Sequence, residues 1–156
     1  MHAQSLDSLT QGGIVASYFI YPDSSALRLQ TQVQFKENSL TGITIAKLRN
    51  DTIRGVLMNE FGVKAFQFTI VDNSCSISQP ISQLNKKHIL RILEQDIAFV
   101  FAIQKNGVAP YTFHKINSST ERIVNCKKTG ELICLSDTVI MNNTQRGIRY
   151  TFIPIL

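Results

Sequence analysis

The segment of residues 40–70 constrains the fold of this chain most strongly. Its three runs of strand-forming residues are separated only by two short polar turns, at residues 49–51 and 59–62. Connections of this length force neighbouring strands to run antiparallel, because a parallel crossover needs about a dozen residues. The segment therefore predicts a three-stranded antiparallel meander.

The segments around this meander carry further strand signals. Residues 27–35 alternate strictly between Leu, Leu, Thr, Val and Phe on one face and Arg or Gln on the other. This alternation is typical of an antiparallel sheet with one buried and one wet face. More strands are predicted at 111–116, 121–126, 131–135, 138–141 and 148–153.

One amphipathic helix is predicted between the two groups of strands. Asn85 is the expected N-cap, and Leu84 and Ile89 have the spacing of a hydrophobic staple. Asn106 and Gly107 are expected to end the element. Its apolar face comprises Ile89, Leu90, Ile92, Leu93, Ile97, Val100 and Phe101.

These elements predict a mainly β (α+β) protein. Alternating strand–helix units are absent from the pattern, which disfavours the α/β folds. We predict a curved antiparallel half-barrel sheet of about ten strands with one long amphipathic helix as its lid. The 156 residues are expected to form a single domain, residues 1–156.

The composition limits the classes of partner. Apolar residues make up 44% of the chain and charged residues 17%, which is a globular composition with a low share of charge. The net charge of +5 comes from scattered basic residues, with the tightest pairs at 86–87 and 127–128. We therefore predict no nucleic-acid partner, because such proteins concentrate their basic residues on one face. A weak attraction to anionic lipid headgroups stays open.

No signature of catalysis or metal binding is present in the sequence. His2, His88 and His114 stand in unrelated contexts, without the spacing of a metal site or a nucleophile elbow. We predict a non-enzyme without cofactor or metal. The alternative, an enzyme, requires Glu60, His114 or a pair of carboxylates to converge in a polar cleft.

The candidate ligand-binding residues are apolar side chains expected on the inside of the sheet and on the helix. A filled core is the other interpretation, but a widely curved sheet often encloses a cavity. The residues are Val33, Phe35, Ile43, Ile45, Phe66, Phe68, Ile70, Tyr150 and Phe152 on the sheet and Ile89, Leu93 and Ile97 on the helix.

Three segments of the meander carry a family resemblance. They are Gly42-Ile43, Asn50-Asp51-Thr52-Ile53-Arg54 and Asn59-Glu60-Phe61-Gly62-Val63-Lys64. With the F-x-F strand and the helix that follow, over residues 27–101, the chain resembles small lipoprotein-like proteins of Bacteroidetes. Those proteins are similar to the LolA/LolB lipoprotein-localisation factors.

The resemblance implies an unclosed half-barrel with a helical lid and a hydrophobic cavity for acyl chains. It also implies a location in the periplasm or at the inner face of the outer membrane, with a lipid anchor on an N-terminal Cys. No Cys lies near Met1 in this sequence, so an anchor or export signal would have to lie outside it. No acyl-contacting residue of the carriers maps onto a single position.

The leading functional prediction is a non-enzymatic envelope protein that binds a lipid, an acyl chain of a lipoprotein or another lipidated partner. The alternative is a structural or assembly protein with a filled core that binds another envelope protein through its sheet edge or outer face. Either one could associate with the membrane peripherally or through a lipid anchor. A cavity of several hundred Å³ would favour the first prediction.

Overall fold

A computed structural model describes residues 14–15, 25–72, 74–101, 104–105, 111–115, 122–126, 130–134 and 138–155. Within these ranges the chain forms twelve strands and one helix, so it is mainly β, as predicted. The strands are β1 (Ile14–Val15), β2 (Leu27–Phe35), β3 (Asn38–Arg49), β4 (Thr52–Asn59), β5 (Lys64–Val71), β6 (Ser74–Ser78), β7 (Gln104–Lys105), β8 (Tyr111–Lys115), β9 (Arg122–Cys126), β10 (Gly130–Cys134), β11 (Val139–Asn143) and β12 (Ile148–Pro154); the helix is α1 (Lys87–Phe101).

Ten of these strands form one hydrogen-bonded antiparallel sheet, and the curled half-barrel comprises eight strands. The strand order is β6-β5-β4-β3-β2-β12-β11-β10-β9-β8. All neighbours in this order are consecutive in the chain except β2 and β12. The sheet is therefore built from two meanders that meet at a single β2–β12 seam. The half-barrel thus has fewer strands than the ten predicted, and β1 and β7 form a separate antiparallel pair.

The turns explain the short connections of the first meander. Asn50 and Asp51 both have positive φ angles, 51° and 62°, and form the two-residue loop between the paired residues Arg49 and Thr52. Asn and Asp are preferred there because a primed hairpin turn needs this conformation. In the next turn, the Asn59 side-chain oxygen accepts hydrogen bonds from the backbone N–H groups of Phe61 and Val63, each 2.9 Å long.

The helix is shorter than predicted. It begins at Lys87, close to the expected start, but it ends at Phe101 after 15 residues. Gln104 and Lys105 pair with Val15 and Ile14 as strand β7, so strand pairing replaces the last expected turn of helix. The predicted stop at residues 106–107 lies outside the described residues, as do residues 127–128 and His2. The helix is also too short and too polar to cross a membrane, and it is the sole helix in the part of the chain that is described.

The core lies between α1 and the inner face of the sheet. The helix packs against β6 and β11. Its Phe101 ring contacts Phe68 of β5 and Phe152 of β12, with ring centroids 5.3 Å and 5.4 Å apart. This aromatic cluster joins both meanders to the helix. Other buried members of the core are Leu27, Leu29, Ala46, Ile53, Leu57, Ala65, Phe66, Ile70, Leu93, Ile97, Phe99, Val100, Val139, Met141 and Tyr150.

The structure corrects the expected inner face of β3. Ile43 pairs with Gln30 and Ile45 with Arg28, and directly paired residues project from the same face of a sheet. Both isoleucines therefore lie on the outer face of the sheet, together with the polar side chains of β2, and Ile43 is 37% exposed. The two-residue β2–β3 turn sets this register, and it turns the smaller residues Gly42, Thr44 and Ala46 inwards.

Candidate ligand-binding cavity

A cavity of about 340 Å³ lies between the sheet, the turn before α1 and the middle of α1. Its walls come from β2, β3, β4, β5 and β12, from the turn before the helix, and from α1 itself. The lining residues are Thr31, Val33, Phe35, Asn38, Ser39, Leu40, Thr44, Leu57, Phe66, Phe68, Gln83, Leu84, Leu93, Ile97, Tyr150 and Phe152.

Most of the predicted ligand-binding residues line this cavity. They are Val33, Phe35, Phe66, Phe68, Leu93, Ile97, Tyr150 and Phe152. The other four do not. Ile70 is buried in the core away from the cavity, Ile89 packs half-buried against the edge of the core, and Ile43 and Ile45 lie on the opposite face.

Several lining residues were missed by the sequence pattern. Thr31 could have been found, because it shares the alternating apolar face of β2 with Val33. Leu40 and Thr44 depend on the register of β3, which the composition of that strand does not reveal. Gln83 and Leu84 belong to the turn before the helix, where no periodicity exists.

Polar groups divide the cavity into a mouth and an interior. Asn38, Ser39 and Gln83 are exposed, so they mark the mouth. The interior walls are mainly aromatic and aliphatic. Two buried hydroxyls, those of Thr31 and Thr44, interrupt these apolar walls. Their Oγ1 atoms lie 2.7 Å apart and are hydrogen-bonded to each other. A ligand with a polar head and an apolar body matches this arrangement.

A buried carboxylate lies behind the Tyr150 wall of the cavity. The Tyr150 hydroxyl donates a hydrogen bond of 2.5 Å to Oδ2 of Asp96, and Nδ2 of Asn143 donates one of 2.8 Å to Oδ1. Burial raises the pKa of Asp96 from 3.8 to about 6, while these two hydrogen bonds act in the opposite direction. Burial also raises the pKa of Tyr150 well above 10. The three side chains tie the helix to β11 and β12.

The other reactive groups lie elsewhere. Burial, and to a lesser extent the nearby Glu94 charge, raises the pKa of Cys75 to about 12, so its thiol is protonated at neutral pH. Glu60 lies on the outer face of the sheet, and the His114 side chain is outside the described residues. Among the side chains that the structure describes, no group of three His, Cys, Asp or Glu residues could hold a metal ion.

A second, wider groove of about 630 Å³ crosses the outer face near the β2–β12 seam. The exposed side chains of Ile43, Ile153 and Ile155 lie in it beside Gln30 and Gln32. Both apolar and polar side chains line this groove, whereas the interior walls of the inner cavity are mainly apolar.

No protein-family model matches the chain, and no curated protein matches its sequence. The features of the molecule that bear on its function are the cavity and the two faces of the sheet.

Proposed function

We propose that this protein binds the acyl chain of a lipid or of a lipidated partner in its inner cavity, without catalysing a reaction. The observation that carries the proposal is the apolar cavity of about 340 Å³ beneath the helix. Small-molecule sites have volumes of about 300–1,000 Å³ and combine apolar walls with a few polar groups. The cavity therefore suits one acyl chain better than several.

Burial of the chain would supply the affinity. Each methylene transferred from water contributes about 0.8 kcal/mol. The rings of Phe66, Phe68 and Phe152 offer the apolar surface that receives it. Asn38, Ser39 and Gln83 would keep the polar head of the ligand at the mouth, where water still reaches it.

The helix would act as the lid at its N-terminal end. Leu84, in the turn before α1, and Leu93 and Ile97 form one wall of the cavity. The residues from Lys87 to Ile92 are exposed or half-buried, so moving them away exposes little additional core. A small outward motion of this end would admit the chain.

The resemblance to the lipoprotein-localisation factors adds the setting of this activity. We place the protein in the periplasm or at the inner face of the outer membrane, attached peripherally or through a lipid anchor. The ligand would then be a membrane lipid or an acyl chain of a lipoprotein. The half-barrel shape and the helix beside the cavity support this assignment.

Cavity filling gives a direct test. We expect wild-type protein to bind a fluorescent fatty acid, and Val33→Trp to abolish the binding because the indole occupies the cavity. Gln32→Trp is the matched control, since Gln32 is the neighbour on the other face of the same strand. Native mass spectrometry of protein purified from its own host should show a co-purified lipid. Absence of fatty-acid binding by the wild type, or equal binding by both variants, would contradict the proposal.

The outer groove favours a second candidate function, docking of another envelope protein. Ile43, Ile153 and Ile155 expose apolar surface that water solvates poorly. We expect a photo-crosslinker at residue 153 to capture a defined partner in the native host, and one at Arg149, an exposed residue of the same strand, to capture less. Equal labelling at the two positions would remove this candidate.

A further inference from the structure

We propose that the cavity selects an acyl chain that carries a hydroxyl group away from its head, because the paired hydroxyls of Thr31 and Thr44 lie in its otherwise apolar interior. This inference rests on the proposed function and specifies the ligand class. Thr31 is 3% exposed and Thr44 is 2% exposed. Both line the cavity together with Leu57, Phe66 and Phe68.

The hydrogen bonds within the pair leave the Thr44 hydroxyl with an unused donor or acceptor position. A hydroxyl has one hydrogen to donate and can accept two hydrogen bonds. The Thr31 hydroxyl donates to the backbone oxygen of Leu29 over 3.1 Å, so Thr44 donates to Thr31. The lone pairs of Thr44 Oγ1 then receive no donor from any described side chain. If the pair is oriented the other way, the hydrogen of Thr44 is the free group.

A hydroxyl on the ligand can bond to Thr44 in either orientation of the pair, because it can both donate and accept a hydrogen bond. A methylene at the same place does neither and leaves a desolvated polar group beside it. Thr44 keeps its hydrogen bond with Thr31 in both cases, so the two ligands differ by one additional hydrogen bond, which contributes a modest net gain. The cavity should therefore discriminate between acyl chains that are identical except for one hydroxyl.

The position of the pair specifies where on the chain the hydroxyl must be. Thr44 follows Asn38, at the mouth, by six residues of the extended strand β3. At about 3.3 Å per residue the two are separated by about 20 Å. With the ligand head at the mouth, a hydroxyl next to the head stays near Asn38. A hydroxyl in the middle of the chain can approach Thr44.

Three 18-carbon ligands test this inference: stearate, 2-hydroxystearate and 12-hydroxystearate. Competition against a fluorescent fatty acid should give 12-hydroxystearate a Kd about 3- to 10-fold lower than that of stearate, and 2-hydroxystearate a Kd close to that of stearate. Thr44→Val should remove the preference and Thr44→Ser should keep it. Thr41→Val, on the outer face of the same strand, is the matched control and should also keep it.

The outcomes separate the two proposals. Equal affinities of the wild type for all three ligands would overturn the hydroxyl selection and leave acyl-chain binding intact. Failure to bind any of the three would overturn both. A preference that persists in Thr44→Val, in protein shown by circular dichroism to be folded, would also overturn the inference. The ratio of the two affinities within each variant is the decisive quantity, because it cancels a general loss of binding.

Discussion

The two halves of helix α1 have opposite environments. The N-terminal residues from Lys87 to Ile92 are exposed or half-buried, and they follow Gln83 and Leu84, which line the cavity. All residues from Asp96 to Phe101 are buried, including one carboxylate. One short helix thus combines a weakly packed half with a tightly packed half, which we call the mobile half and the fixed half. If the cavity opens as proposed, we expect the first half to move while the second half, which includes Ile97 of the cavity wall, stays in place.

The fixed half is held by both apolar and polar contacts. Phe101 packs between Phe68 and Phe152, and Asp96 receives hydrogen bonds from Tyr150 and Asn143. In the first half, the apolar contacts are limited to residues such as Ile89 at the edge of the core.

The largest effect should come from removing a large side chain in the fixed half. Phe101→Ala leaves a cavity in the aromatic cluster and should lower the free energy of unfolding by about 3–5 kcal/mol. Ile89→Ala, the matched change in the mobile half, should cost about 1 kcal/mol because its side chain is only half-buried. Urea denaturation measures both. Similar losses from the two substitutions would show that the halves are equally anchored.

The next effect is a pH dependence that comes from Asp96. Its pKa is raised to about 6 in the folded protein, against 3.8 for an ordinary carboxyl, so the folded state binds more protons between these values. The free energy of unfolding should therefore fall as pH rises through this window, by roughly 3 kcal/mol in total. Stability gained through Asp96 is greatest below about pH 4.

Asp96→Asn is the control for this prediction, because the amide does not titrate and the other groups of the chain are unchanged. The difference in unfolding free energy between wild type and variant should change between pH 4 and pH 7 by the amount given above. Urea denaturation at several pH values provides the measurement. A constant difference would mean that Asp96 has the same pKa in the folded and unfolded states.

The smallest effect concerns the mobile half alone. If the first half of α1 opens to admit a ligand, amides such as that of Leu90, which donates to the Lys86 oxygen, should exchange with solvent faster than those of the second half. Fatty acid at ten times its Kd should slow the exchange in the first half about tenfold. Exchange in the fixed half should not change. Equal protection of both halves by the ligand would contradict a lid that is confined to the first half.

The sequence predicted the elements better than their contacts. The alternation in the strands, strictest in β2, and the apolar face of α1 were sufficient for the mainly β class and for eight of the sixteen residues that line the cavity. The prediction that Ile43 and Ile45 face the inside of the sheet was wrong, because apolar composition does not set the register of β3. The turn after Phe35 sets it. Strand pairing beyond the helix could not be anticipated either, because it depends on distant residues.

The buried polar groups were also beyond local reasoning. Asp96 is separated from Asn143 by 47 residues and from Tyr150 by 54. Nothing in its neighbourhood in the chain distinguishes it from Glu94, whose side chain accepts a hydrogen bond from the Ile77 backbone at the sheet edge. The Thr31–Thr44 pair is closer in sequence, but it too requires the register of β2 and β3.

The β2–β12 seam has a consequence for the order of folding. Each meander can assemble from strands that are adjacent in the chain, whereas the seam pairs Phe35 with Ile148 and must close a very long loop. We expect the seam to form last. The cavity takes one wall from Val33 and Phe66 and the other from Tyr150 and Phe152, so it does not exist before that step. A nascent chain would therefore acquire its binding site only when β12 has paired with β2.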